Sequence, residues 1–349
     1  MNTTPTATLA SPADDHGLIC GYLFQAGQPA RSIATDAAQH WLHRDAKTAQ
    51  ADSEADFIWL HFNLTHTSAH GWLRAHTSLP HDFHQSLREG SRSTRITRLG
   101  ERLMAVINDV TFDFSFDPEN VATLWLSLEP GLVVSARVQP LRSVDRLRRA
   151  VGAGDVIASP VALLEHLLSD QADELQHIVR SASDKVDDIE DAMLARRNRL
   201  EGGDELARLR RLSVRLQRLL APEPGALLRL LANPPAWLNA EERDRLRRVN
   251  DEFAVALRDI VSLHERVKLL QDESASHVAE QNNRSLFTLT MVTVLALPIN
   301  LFAGLMGMNV GGIPLANHSY GFWLMLLLIA TFTALAAWLA LRRLTKRQR

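Results

Sequence analysis

The sequence predicts an α+β cytoplasmic domain (an antiparallel sheet with helices) joined to a long helical stalk and two transmembrane α-helices. Three observations carry this reading. Two hairpin patterns stand side by side in residues 93–138, and no proline interrupts residues 236–297. From Ser285 to Leu341 there is no Asp, Glu, Lys or Arg, although 22% of the 349 residues are charged. The formal net charge of −2 leaves no basic footprint for nucleic acid. The single cysteine, Cys20, excludes a disulfide framework and a cysteine-based zinc site.

Residues 1–165 read as the α/β part. MNTTPTATLASPADDHG has neither a basic n-region nor an apolar core, so it is no signal peptide and reads as a disordered leader. DFIWLHFNL (56–64) alternates as a strand does. STRITRLGERLMAVINDVTFDF (93–114) reads as a hairpin turning at Leu99-Gly100-Glu101, and VATLWLSLEPGLVVSARV (121–138) as one turning at Glu129-Pro130-Gly131. HDFHQSLREG and PVALLEHLLSDQADELQHIV supply helices to pack on that sheet.

Residues 166–284 read as a helical region ending in the stalk. One helix is expected from about Ser181 to Leu220, broken by APEPG at 221–225. A second begins after NPPAWLNAEE with Asn239 as its cap. Leu246, Val249, Phe253, Leu257, Ile260, Val267 and Leu270 recur every three or four residues, with His264 filling one place. That is coiled-coil spacing, and it predicts several copies around an axis. The stalk would span about 90 Å.

The segments 285–306 and 320–341 are each 22 residues long, and at about 1.5 Å per residue each reaches roughly 33 Å, enough to cross a bilayer. The tail 342–349 carries Arg342, Arg343, Lys346, Arg347 and Arg349, which holds it in the cytoplasm. Two spans then place the N-terminus in the cytoplasm too, with the neutral loop 307–319 outside. Trp323 and Trp338 fit interfacial anchors.

The two spans differ in kind. Only Thr331 and Thr333 interrupt the apolar surface of the second. The first has a polar line of Asn283, Thr290, Thr293, Asn300 and Gly304, with Leu286 and Leu297 on the same face and Pro298 to loosen the helix. Such a face packs on a partner or lines water. Two spans cannot enclose a pore, so a channel requires several copies.

Gly307-Met308-Asn309, between a proline-containing first span and a short loop leading to a second, resembles the signature of the CorA superfamily of divalent-cation transporters. The likeness covers essentially the whole chain. The continuation Val310-Gly311-Gly312-Ile313-Pro314, and the stretch TRITRLGERLMAVINDVTF, are similar to the ZntB-type zinc-transporter branch. The resemblance implies a homopentameric funnel in a bacterial inner membrane, with the first span lining the pore. It implies Gly307, Met308 and Asn309 at the outer mouth, and Asn300, Leu297, Leu289 or Leu286, and Asn283 along the way inward. Helical spacing selects the same pore residues, Leu289 excepted.

A ring of Asn309 amides offers neutral oxygens to the water shell of a hydrated divalent ion, which sheds water reluctantly. Zinc prefers nitrogen ligands, for which His318 is the loop's one candidate and the pair His81/His84 the cytoplasmic one. The carboxylates Asp184, Asp187, Asp188, Glu190 and Asp191 would concentrate cations. No cofactor and no enzymatic activity are expected. The implied cargo is Zn2+, with Mg2+, Co2+, Ni2+ and Cd2+ as other divalent candidates. The absence of GxxxxGK[ST] argues against ATP drive, and the spans hold no ionisable residue for a proton relay. The competing readings are a magnesium/cobalt channel of the same fold and a membrane-anchored signalling protein.

Overall fold

The structure, a computed structural model, describes residues 13–43, 56–90, 94–111, 121–194, 202–308 and 319–347. The chain divides into two compact units, Met1–Gln271 and Asp272–Arg349. The first opens with β1 (Leu18–Phe24), β2 (Arg31–Ser32), α1 (Thr35–Leu42), β3 (Phe57–Asn63), α2 (Ala69–His76) and α3 (His81–Glu89). It continues with β4 (Arg95–Leu99), β5 (Arg102–Val110), β6 (Val121–Glu129), β7 (Leu132–Arg137) and α4 (Arg142–Ala153). Three helices follow, α5 (Pro160–Leu194), α6 (Gly202–Leu220) and α7 (Pro222–Ala232). Helix α8 (Ala240–Met306) runs from the first unit into the second, which also holds α9 (Gly321–Arg347).

Both expected hairpins form. Leu99 pairs with Arg102 across Gly100-Glu101, with Gly100 at φ +64°, and Glu129 pairs with Leu132 across Pro130-Gly131. A two-residue turn favours positive φ, which glycine adopts without steric cost. The seven strands lie in the order β2-β1-β3-β7-β6-β5-β4. All neighbours are antiparallel except β3 and β7. That parallel pair departs from the expected sheet, because hairpin signals report only adjacent strands. Strand β1 was not anticipated. It begins where Asp14 of the expected leader accepts hydrogen bonds from the amides of His16 and Leu18, forming a turn.

Strand β3 is buried on both faces, not alternately exposed. Phe57 and Trp59 join one core with Leu103, Leu124, Leu126 and Val133, covered by α4 to α8. Ile58, Leu60 and Phe62 join the other with Val106, Trp125 and Val134, covered by α1, α2 and α3. Helices on both faces make a central strand apolar throughout.

The expected single helix over Ser181–Leu220 is two, α5 and α6; the connection, 195–201, lies outside the described residues. Gly202-Gly203, poor helix formers, head the second. Ser159 and Ser169 meet Glu242 and Glu252, while Asp187 and Glu190 meet Arg266, so α5 runs beside α8 in the same direction. Arg210 meets Gln271 and Ser213 meets His264, so α6 runs the opposite way. Leu246, Val249, Phe253, Ile260, Leu263, Val267 and Leu270 are buried in the core that α5 and α6 share. The seam up to Leu270 is thus filled from within the chain and does not by itself require further copies.

Helix α8 begins as expected at Asn239. Its side chain accepts from the Glu242 amide (2.9 Å), and Glu242 accepts in return from the Asn239 amide (3.1 Å). This reciprocal pair satisfies two otherwise orphaned donors. Break 221–225 also appears, with Pro222 opening α7.

Candidate ion-conduction site

Helix α8 continues through Pro298 to Met306. At about 100° per residue, Asn283, Leu286, Leu289, Thr290, Thr293, Leu297, Asn300 and Gly304 fall within an arc of roughly 120°. All eight are exposed in the single chain. The described part of α8 contains the one helical stretch, among the described residues, long and apolar enough to cross a membrane. Helix α9 offers a shorter apolar stretch, Gly321–Leu335.

Thr290 donates its hydroxyl proton to the Leu286 carbonyl (2.8 Å), and Thr293 to that of Leu289 (2.9 Å). The donors are therefore spent within the helix, and the lone pairs left on each oxygen accept. Water around a cation points its hydrogens outward, so acceptor-rich walls suit a hydrated cation. At the end of α8 the Gly307 amide donates to the Ala303 carbonyl (3.0 Å), and Met308 is exposed. Asn309 and His318 lie outside the described residues.

His81 and His84 lie one turn apart on α3. Burial first, then the charges of Arg74 and Arg88 and the neighbouring His70 and His81, lowers the His84 pKa. Among the described residues no group of three or more His, Cys, Asp or Glu could hold a metal ion. Two guanidinium groups beside a histidine pair oppose a cation there. Of the acidic run on α5, Asp187 and Glu190 are held by Arg266, leaving Asp184, Asp188 and Asp191 exposed.

The structure also shows a polar junction that sequence patterns did not reveal. Asp109, at the end of β5, accepts from the amide and hydroxyl of Ser143 and from the Val110 amide. Burial pushes its carboxyl up to about 6, against those bonds. Gln171 of α5 donates to the Asn108 carbonyl and to Glu223 of α7. Burial raises the Glu223 pKa well above its ordinary value, and the charge of Asp109 adds to the rise. Glu174 is ionically paired with both Arg142 and Arg146. These residues tie β5, α4, α5 and α7 together.

The family model of the CorA-like Mg2+ transporter protein matches residues 54–343. The divalent cation transporter CmaX of Pseudomonas aeruginosa is 30% identical over 339 residues, 95% of this chain and 97% of that protein. The zinc transport protein ZntB of Yersinia enterocolitica is 27% identical over 280 residues, covering 80% of this chain and 85% of that one. The solved full-length CmaX structure superposes with a TM-score of 0.77 at 26% identity, covering 96% of this chain and all of the other. With a polar-faced apolar helix, a Gly-Met-Asn at its end and a family match over most of its length, the chain belongs to the CorA-like family of divalent-cation transporters.

Proposed function

We propose that the chain forms a homopentameric zinc transporter in a bacterial inner membrane, with both termini cytoplasmic. The observation that carries it is the arc on α8: asparagine and threonine oxygens, with no ionisable group, on an uncharged and mostly exposed stretch (285–306) whose other polar residues are only Ser285 and Thr288. A lipid-facing helix gains nothing from that line, whereas copies turned inward give a wettable path. Leu286, Leu289 and Leu297 would form its narrow parts. Asn309 would ring the outer mouth with Gly307 and Met308, and select hydrated divalent ions through outer-shell contacts. Zinc is favoured by the likeness of Val310-Gly311-Gly312 to ZntB-type loops and by the ZntB relative. His318 would be an additional capture ligand.

Proteoliposomes holding the full chain test this. Uptake of Zn2+ that survives excess Mg2+ and falls at least about tenfold in Asn309→Ala is the expected result, since removing a group that acts only on the passing ion lowers its rate. Magnesium flux without zinc flux would overturn the choice of ion, and flux unchanged by Asn309→Ala the choice of mouth.

A further inference from the structure

On α6, Arg208, Arg211 and Arg215 follow one another at three and four residues, on a different face from the buried Leu209, Leu212 and Leu216. On α5, Asp184, Asp188 and Asp191 are exposed and repeat the spacing as four and three. Among the described residues neither set has an ion-pair partner, whereas Asp187 and Glu190 on the adjoining face of α5 are both held by Arg266. The Arg215 Nε is also buried without a hydrogen-bond partner among the described residues.

The two stripes lie level along the bundle. Asp187 and Glu190 of α5 sit beside Arg266 of α8, and Ser213 and Arg210 of α6 sit beside His264 and Gln271. Because α5 and α6 run in opposite directions, the acids and bases match in order: Asp184 with Arg215, Asp188 with Arg211, Asp191 with Arg208. Arg211 and Arg215 also line a groove of about 1070 Å³, whose other walls include Val121, Trp125, Val138 and Val214. Val138 and Val214 are 47% and 45% exposed. A helix about 10 Å across and two turns long has roughly this volume, and Asp184–Asp191 is about two turns.

We propose that this groove receives α5 of a second copy of the chain, with Asp184, Asp188 and Asp191 laid antiparallel on Arg215, Arg211 and Arg208. The two patches are different surfaces of one chain, so the contact is heterologous and propagates around a closed ring. The inference rests on the homopentamer proposed above and names the cytoplasmic surfaces that meet in it. Each pair is individually modest because it stays partly in water, but three in register set which faces can meet.

The test uses the full-length protein in detergent. Asp188→Cys combined with Arg211→Cys, oxidised and run on a denaturing gel, is expected to give a ladder of covalently joined copies; each single variant is expected to give none. A second arm reverses the acids (D184R, D188R, D191R), the bases (R208E, R211E, R215E), or all six. Each triple is expected to lower the fraction of intact rings in native mass spectrometry about tenfold, as like charges then face each other, and the six-fold variant to restore it. Rings that persist while the ladder is absent overturn the pairing and leave the pentamer standing. Absence of rings in the unaltered chain overturns the pentamer itself. Loss of rings on reversing the bases, unrestored by reversing the acids as well, means that the groove holds another anion and also overturns the pairing.

Discussion

In the unit ending at Gln271, Leu103, Leu163, Leu227 and Leu246 are fully buried. In the unit beginning at Asp272, Leu286, Leu289 and Leu297 are 61%, 64% and 65% exposed, and Phe322 and Trp323 are at least as exposed as any of them. The polar groups invert in the same way. Asn108, Thr123 and Asp109 are buried in the first unit and hydrogen-bonded to their neighbours. Thr290, Thr293, Thr331 and Thr333 in the second turn back onto their own helices. The difference teaches that the two units are folded against different solvents. The first hides apolar surface from water within one chain. The second leaves it outward, for lipid and for other helices to cover.

The strongest way to break this comparison is one substitution made twice. Leu246→Ala removes a fully buried side chain and is expected to destabilise the first unit by about 2–5 kcal/mol. Leu324→Ala, on the exposed surface of α9, is expected to change stability by less than about 1 kcal/mol, because lipid replaces the lost methyl groups. Denaturant titration in detergent measures both, and equal effects would erase the distinction.

A smaller effect comes from the buried acids. A carboxyl whose folded-state pKa is raised contributes stability that is fully present below its unfolded pKa and lost as pH rises through the folded value. For Asp109 that window runs from the ordinary carboxyl value of 3.8 to about 6, worth roughly 3 kcal/mol. For Glu223 it opens from 4.5 and extends well upward. Melting curves between pH 5 and pH 8 are expected to show the unaltered chain losing stability relative to Glu223→Gln as pH rises. A parallel pair of curves would show that Glu223 does not titrate differently on folding.

The smallest of these is the cap. Asn239→Ala removes one side of the reciprocal pair with Glu242 and is expected to cost about 1 kcal/mol. Denaturant titration measures the loss, and an unchanged midpoint would show that the pair does not hold the start of α8.

Local signals made much of this legible in the sequence. The turns at Gly100-Glu101 and Pro130-Gly131, the cap at Asn239 and the break at 221–225 are each written in a few adjacent letters. The arc on α8 is periodic, so spacing alone finds all but Leu289. Long-range facts were not legible. The β3–β7 pairing joins strands from separate parts of the chain, and Gln171 meets Asn108 and Glu223 from 63 and 52 positions away. The three-and-four spacing of α8 marks a face that must be packed, but spacing does not say whether the partner helix belongs to another copy, as expected, or to the same chain, as found up to Leu270. The basic stripe of α6 had a signal, the three-and-four spacing within ARLRRLSVRLQR, which gained meaning only once the acids of α5 stood at the same level.

The inward-facing arc of α8 is the central claim, and radiozinc uptake by proteoliposomes addresses it most directly. Asn300→Leu removes the arc's deepest amide, while Thr331→Val removes a hydroxyl that α9 already bonds to its own backbone. Uptake is predicted to fall at least about tenfold in the first, by loss of a polar contact made only along the ion path, and to stay within about twofold in the second. Equal uptake by both variants and the unaltered chain would contradict the account.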